Sequence, residues 1–516
     1  MSIWGPLGLQ ITFLVPSPGL QGRSTIRAVS PAASYTFGPF RFDAGVCRLS
    51  RDGEPLAIPD RQAAILLRLV TQAGKVVPKE TLIDVAWKDV AVGDNSLEQA
   101  ISSLRRALGP APDGAPYIET LARRGYRFRI PVARVAARIE GAALDALLAP
   151  HRAFIEGRTA LETFDRDAII RAQDVFERIV AGSPDYAPGH IGLANAYSLR
   201  FESTRAEDTP DREALARAVQ HAREACSLDP SSGEAWATLG AVLSQARMGA
   251  EGIAAARRSI SLENENWRHH LRLAYVSWGE ERLRAAQRAL RLLPGFAFAH
   301  WLSATVHVAR GAFEEAEHEL VAGTLAQDRQ QEHSRFGTSG LHFLLGLVRL
   351  ARGDETTALQ EFERELAFEH APHIYTREVC AHTWCAVAAV RLRQDDAPAA
   401  EAAFERALAS VPSYPLALAG LLVAGDRPRT GARLTLDGRL DDLRKQGALV
   451  EAAMGEAVAE AVAGRHAAGA ALVRAALETV PAGSSGWMLP VEPFLQVSSH
   501  LFEWAPILAI LRSRAA

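Results

Sequence analysis

Two arginine pairs stand close together in this chain. Arg105-Arg106 lies in a helical run, and Arg123-Arg124 precedes Gly125-Tyr126-Arg127-Phe128. Guanidinium groups are rigid multi-donor forks suited to phosphates and base edges, and Asn and Gln amides offer a paired donor and acceptor. With about 100° per residue, Leu97, Ile101, Leu104 and Leu108 share one narrow stripe, with Ala100 and Ala107 at its edge. The opposite face carries Asn95, Gln99, Ser102 and Arg106, flanked by Glu98, Ser103 and Arg105. Asp94, Asn95 and Ser96 are all competent N-caps, and Gly109-Pro110 stops the helix. A short strand over Tyr117–Leu121 then leads into the second arginine pair. A helix followed at once by a tight basic hairpin suits a duplex, with the helix in a groove and the hairpin tip on the neighbouring backbone. The plainer alternative is an amphipathic helix with a solvated polar face, and the upstream elements argue against it.

Those elements must hold the helix in place. Three β-like pieces, Tyr35–Phe42, Val46–Leu49 and Glu54–Ile58, are separated by the turn signals Asp43-Ala44-Gly45 and Asp52-Gly53. A helix over 60–73 follows, with Asp60 as cap, Ile65, Leu66, Leu69 and Val70 as its apolar face, and Gly74 beyond its end. A second helix over 78–86 opens with Pro78. The order is strands, three helices and a terminal hairpin.

This order, together with several motifs, resembles the OmpR/PhoB-type winged-helix DNA-binding domain over about residues 35–132. The motifs are Gly38-Pro39-Phe40-Arg41-Phe42-Asp43, Val77-Pro78-Lys79-Glu80-Thr81-Leu82, Val85-Ala86-Trp87, Leu104-Arg105-Arg106-Ala107-Leu108 and Ile118-Glu119-Thr120-Leu121-Ala122-Arg123-Arg124-Gly125-Tyr126-Arg127-Phe128. The Arg-Arg-Gly-Tyr form of the last is similar to the CadC/ToxR/HilA-like branch. The resemblance implies that the helix at 95–108 is a recognition helix in the major groove, with Asn95, Gln99 and Ser102 reaching base edges. It places Arg105, Arg106 and Thr120 at phosphates or the groove edge, and Arg123 and Arg124 at sugar-phosphate or the minor groove, with Ser103 also counted among the DNA-binding residues. Two departures stand out. Many family members carry a basic residue where Ser102 or Ser103 stands, which thins the base readout, and Arg123 occupies a wing position often held by Gly.

Charge is split along the chain. Residues 35–132 hold 14 Lys and Arg against 11 Asp and Glu, about +3, whereas 133–516 hold 41 against 49, about −8. A weakly basic head on an acidic body fits a nucleic-acid module attached to something that does not bind nucleic acid.

The body repeats. Trp384, Val387, Ala388, Ala400, Phe404, Ala407 and Pro412 fit one tetratricopeptide (TPR) template. The frame recurs as Leu345, Gly346, Gly353, Ala358 and Phe362, and as Gly464, Gly469, Val473, Ala476 and Pro481. Earlier copies are Ala172, Phe176, Ile179 and Pro184, then Ala218, Ala222, Ala225 and Pro230, and then Trp236, Leu239, Gly240 and Ala256. Small residues let two helices of a hairpin approach, a bulky one fills the gap, and Pro ends the second helix. Seven to nine helical hairpins are expected from about residue 148 to the end. The expected fold is therefore multidomain, an N-terminal α+β winged helix-turn-helix followed by an all-α TPR superhelix. Its expected divisions are a disordered or over-extended 1–34, the head at 35–132, a linker at 133–147 and repeats over 148–516.

Other classes of chemistry lack their signatures. There is no P-loop, nucleophile elbow or HExxH zinc motif, and the four cysteines show no zinc spacing and suit a reducing compartment. No cofactor, metal or enzymatic activity is expected. No apolar run of the ~18 residues needed to cross a bilayer appears, which points to a cytoplasmic protein without membrane contact. The expected function is sequence-specific transcription regulation, activation rather than repression by family resemblance. Double-stranded DNA is the partner of the head, RNA polymerase a candidate second partner, and a protein, peptide or small-molecule signal the occupant of the TPR groove. A homodimer stays open. The competing reading is a TPR scaffold whose winged head has lost DNA binding.

Overall fold

The structure, a computed structural model, describes residues 33–44, 47–87, 94–122, 124–136, 141–161, 163–205, 207, 209–331, 340–422 and 430–516. The chain divides into two compact units.

The first begins with four antiparallel strands: β1 (Ala33–Phe37), β2 (Phe40–Asp43), β3 (Arg48–Arg51) and β4 (Glu54–Leu56). The single strand expected over Tyr35–Phe42 is split in two. Gly38 turns the chain at φ +55°, and a Cβ there would lie 2.8 Å from the Tyr117 hydroxyl, so the turn needs glycine. Helix α1 (Asp60–Thr71) follows, with Pro59 at the N-cap position, no side-chain capping bond, and Asp60 in the first turn rather than at the cap. Then come β5 (Val76–Val77), α2 (Lys79–Ala86), α3 (Asp94–Leu108), β6 (Ile118–Leu121) and β7 (Gly125–Phe128). The last two form a hairpin with β5 on its outer side, in the order β5-β7-β6. A final strand, β8 (Ala133–Ala136), lies in the stretch expected to be a linker and pairs antiparallel with β1, Tyr35 opposite Arg134.

One apolar core joins these pieces. Leu97, Ile101, Leu104 and Leu108 of α3 are buried, as the stripe predicts. Aromatic rings pin the first sheet to the hairpin: Phe37 meets Phe128 edge-on at 4.9 Å between centroids, and Phe40 meets Tyr117 at 5.5 Å. Such pairs add about 1 kcal/mol each to the area they bury.

The second unit is helical. Helix α4 (Gly141–Leu161) spans the passage from one unit to the other, and α5 (Arg166–Gly182) follows. Eight antiparallel pairs follow among the described residues. They are α6 (Ala187–Thr204) with α7 (Arg212–Leu228), α8 (Gly233–Gln245) with α9 (Gly249–Leu262), and α10 (Trp267–Val276) with α11 (Gly279–Leu292). Next are α12 (Ala297–Arg310) with α13 (Phe313–Gln331), α14 (Leu341–Ala351) with α15 (Glu355–Leu366), and α16 (Thr376–Arg393) with α17 (Ala397–Ser410). The last are α18 (Pro415–Leu421) with α19 (Thr430–Lys445) and α20 (Leu449–Val462) with α21 (His466–Thr479). A single helix, α22 (Leu501–Ala515), ends the chain.

The spacing of small residues does what the repeat template requires. A Cβ on Gly346 would sit 2.4 Å from the Phe362 ring, and one on Gly240 would sit 2.8 Å from the Gly252 carbonyl oxygen. Each small residue therefore lets its helix partner approach closely. This is the tetratricopeptide-type packing expected from the sequence.

Candidate nucleic-acid interface

Helix α3 buries its leucine stripe and turns its other face outward. Gln99, Ser102 and Arg106 are exposed, Ser103 is half-buried, and Ser96 is buried near the helix start. Asn95 lies in the described helix, but its side chain is outside the described residues, as is Arg123 altogether. Lys79 of α2 donates to Glu98 at 3.2 Å, fixing the flank of the exposed face to the preceding helix. The helix ends at Gly109 with φ +67°, where its N–H reaches the Arg105 carbonyl at 2.9 Å.

The hairpin is built around one glycine. Gly125 has φ +121°, and a Cβ there would fall 2.1 Å from the Val77 carbonyl oxygen. Only glycine lets β7 lie against β5 at this point. At the tip the Arg124 N–H closes on the Leu121 carbonyl at 2.9 Å, and the Arg124 side chain is exposed. Behind the tip, Arg127 on β7 pairs with Glu119 on β6 at 2.6 Å. Arg129 pairs with Asp113, whose carboxyl is held below its usual range by the Arg129 hydrogen bond and then by the Ala115 backbone. These two arginines are thus partly neutralised. Arg106 and Arg124 are exposed and form no ion pair with any described residue.

Arg105 does something the sequence did not disclose. Its Nε donates to the Ile118 carbonyl at 2.8 Å and its Nη2 to the Thr120 hydroxyl at 2.7 Å. Both acceptors lie on β6. The helix and the hairpin are therefore tied together by the very residues expected at phosphates, and the remaining guanidinium N–H groups stay at the half-exposed edge. The only sequence signal for this was position: Arg105 sits between the apolar stripe and the polar face.

The assembled surface has an exposed helix face of amide, hydroxyl and guanidinium groups. Beside it is a basic hairpin tip at a fixed offset. Such a surface can read groove edges with the helix and hold backbone phosphates with the hairpin. Among the described residues no cluster of His, Cys, Asp and Glu is arranged to hold a metal.

Comparison with known proteins agrees with this geometry. Residues 53–128 match the family described as transcriptional regulatory protein, C terminal. The transcriptional regulator HilA of Salmonella typhi is 33% identical over 140 residues, covering 27% of this chain and 23% of that protein. The transcriptional activator CadC of Escherichia coli K12 is 31% identical over 96 residues, covering 18% of this chain and 19% of that protein. The match thus spans about a quarter or less of these relatives' own length. The solved DNA-binding domain of E. coli CadC is 29% identical and covers 21% of this chain and 100% of that one, with a TM-score of 0.19. The N-terminal domain of this chain belongs to the OmpR/PhoB-type winged-helix DNA-binding family, and it is joined to a tetratricopeptide-like helical region in which no described helix is long and apolar enough to cross a membrane.

Proposed function

We propose that the whole protein is a sequence-specific transcriptional regulator acting as an activator. In this reading α3 enters the major groove of double-stranded DNA. Asn95, Gln99 and Ser102 face base edges, and Ser103 and Arg106 lie at its margins. Arg123 and Arg124 take the adjacent backbone or minor groove, while Arg105 and Thr120 set the angle between helix and wing and offer their free donors to phosphate. The head comprises residues 35–132 with the strand Ala133–Ala136 added to its sheet, and the repeats supply a docking or sensing arm for a protein, peptide or small-molecule signal. RNA polymerase recruitment is the proposed output, from a cytoplasmic protein with no catalytic role.

The observation that carries this reading is the exposure of Gln99, Ser102 and Arg106 beside Arg124, on two elements locked together by Arg105. Nothing in a head kept only as a structural appendage requires a polar, unpaired helix face next to an unpaired basic tip. A second reading, a TPR scaffold with a non-functional head, draws on Ser102 and Ser103 standing where basic residues are common. Selection of binding sites from random duplexes by the full chain decides between them. An enriched motif that Arg124→Ala weakens supports the regulator, and no enrichment supports the scaffold.

A further inference from the structure

The first helices of the repeat pairs are buried on almost every side, with Arg200, Arg377, Arg393 and Leu449 as their exposed residues. In α12, Phe298, Trp301, Leu302, Ala304, Thr305 and Val306 are all 0% exposed, although these positions span more than a full turn. The second helices keep an outward face, as in α7, where only Ala214, Ala218, Ala222, Ala225 and Cys226 are buried. A helix apolar all round must be covered on both sides, and one side of each first helix faces the inside of the superhelix. That inner surface is the groove in which the signal was expected.

Two parts of the chain cover it. Across the turn of the superhelix, the Arg205 guanidinium forms a buried ion pair with Glu378 of α16 and lies 5.4 Å over the Tyr375 ring. Further along, the segment Trp487–Val497 occupies the inner face. It is buried throughout except at Gln496, yet its regular structure is one 3-10 turn at Leu489–Val491, packed on α12 and α14. Trp487 meets Trp301 of α12 edge-on at 5.8 Å, and Phe494 stacks on Phe404 at 5.8 Å. Arg393 at the end of α16 donates to the Pro493 carbonyl at 2.9 Å, and Glu492 lies 3.7 Å from His382. The chain end is then clipped in place, because Arg310 donates to the Ala515 carbonyl at 2.7 and 2.9 Å.

The fit is apolar but not polar-complete. The indole N–H groups of Trp301 and Trp487 and one oxygen of Glu492 are buried without a hydrogen-bond partner among the described residues. Each such group costs about 1–3 kcal/mol. Beside the segment a cleft of about 230 Å³ opens between Leu350, Ala351 and Arg393 on one wall and Pro490, Val491 and Val497 on the other.

We infer that Trp487–Val497 is a tethered ligand of the groove, and that the groove's external partner is a peptide of the same chemistry that displaces it. That peptide carries two aromatic residues, prolines and apolar side chains around a single carboxylate. A tether supplies an effective concentration on the order of millimolar, so the segment holds the groove closed against weaker competitors. The inference rests on the repeats being the receiving arm of the regulator.

The test uses the full chain and a labelled peptide with the sequence of residues 484–500. The native chain binds it weakly, Arg310→Ala binds it about tenfold more tightly because the clip is loosened, and a scrambled peptide binds neither. Hydrogen exchange on the native chain gives a second readout that needs no variant: amides of 487–497 exchange about tenfold faster than those of α12 and α14. Exchange of the segment only together with α12 and α14 overturns the inference, as does equal or absent peptide binding in a folded Arg310→Ala chain. DNA binding by the same preparations is scored separately, so failure of the regulator reading is distinguishable from failure of the tethered-ligand inference.

Discussion

Arg105 of α3 and Thr120 of β6 are joined by a 2.7 Å hydrogen bond, seconded by the 2.8 Å bond from Arg105 to the Ile118 carbonyl. One guanidinium therefore braces α3 against the hairpin. A lysine in its place supplies a point charge without the fork that spans two acceptors. Arg105→Ala and Arg105→Lys are expected to lose about tenfold in DNA affinity and Thr120→Val about threefold, a hydrogen bond of this exposure contributing about 1 kcal/mol. The double variant Arg105→Ala/Thr120→Val should cost no more than Arg105→Ala alone, since both changes break the same contact. Additive losses in a double-mutant cycle contradict the brace.

Gly125→Ala is expected to collapse the wing. The added methyl meets the Val77 carbonyl at 2.1 Å in a backbone conformation with φ +121°, and relief costs more than about 2 kcal/mol. Hydrogen exchange should accelerate across β5, β6 and β7 while the repeat helices stay unchanged. Wild-type protection of the wing in this variant counts against the assigned packing.

The repeat template makes its own prediction. Gly346→Ala drives a methyl to within 2.4 Å of the Phe362 ring, an overpacking worth about 1–3 kcal/mol. Phe362→Leu in the same chain should recover part of the loss by yielding space. Thermal unfolding of the singles and the double checks this, and a double variant weaker than both singles argues against close approach at this position.

How much of this was legible in advance depends on the range of the interactions involved. The α3 stripe and the repeat phase rest on local periodicity, and the structure places Leu97, Ile101, Leu104 and Leu108 in the core and Gly346 against Phe362 as the spacing required. The division of Tyr35–Phe42 falls at Gly38, where φ is +55° and the hydroxyl of Tyr117, a neighbour distant in sequence, leaves no room for a Cβ. The Arg105 brace spans 15 residues and the Arg205–Glu378 ion pair spans 173, and no pattern in a single sequence links such positions. Trp487–Val497 was the hardest to see. It departs from the repeat, and its place is set by the groove rather than by any propensity of its own.

Acid should weaken the repeat region in a defined window. Burial lowers the His373 pKa from 6.5 to about 4. Its Nδ1 accepts the Tyr375 backbone N–H, and its ring packs on Phe164 and Tyr375. The folded state holds this histidine neutral while the unfolded chain takes a proton below pH 6.5. The stabilisation is thus fully present above pH 6.5 and is lost as pH falls towards about 4, by up to about 3 kcal/mol. His373→Phe should flatten the fall in thermal stability between pH 6.5 and 4, and an unchanged slope removes His373 from the account.

The claim that α3 and the wing together read DNA is tested most directly by the salt dependence of binding. Full chain is titrated onto its selected duplex and onto a scrambled one, with Arg106→Ala and Arg124→Ala run in parallel. With about five phosphate contacts the logarithm of affinity should fall against the logarithm of salt with a slope of about −4 to −5. Each arginine variant should make that slope shallower by about one, and Gln99→Ala should instead erase much of the preference for the selected sequence. Binding that is insensitive to salt, and unchanged by Arg106→Ala, Arg124→Ala and Gln99→Ala, contradicts the account.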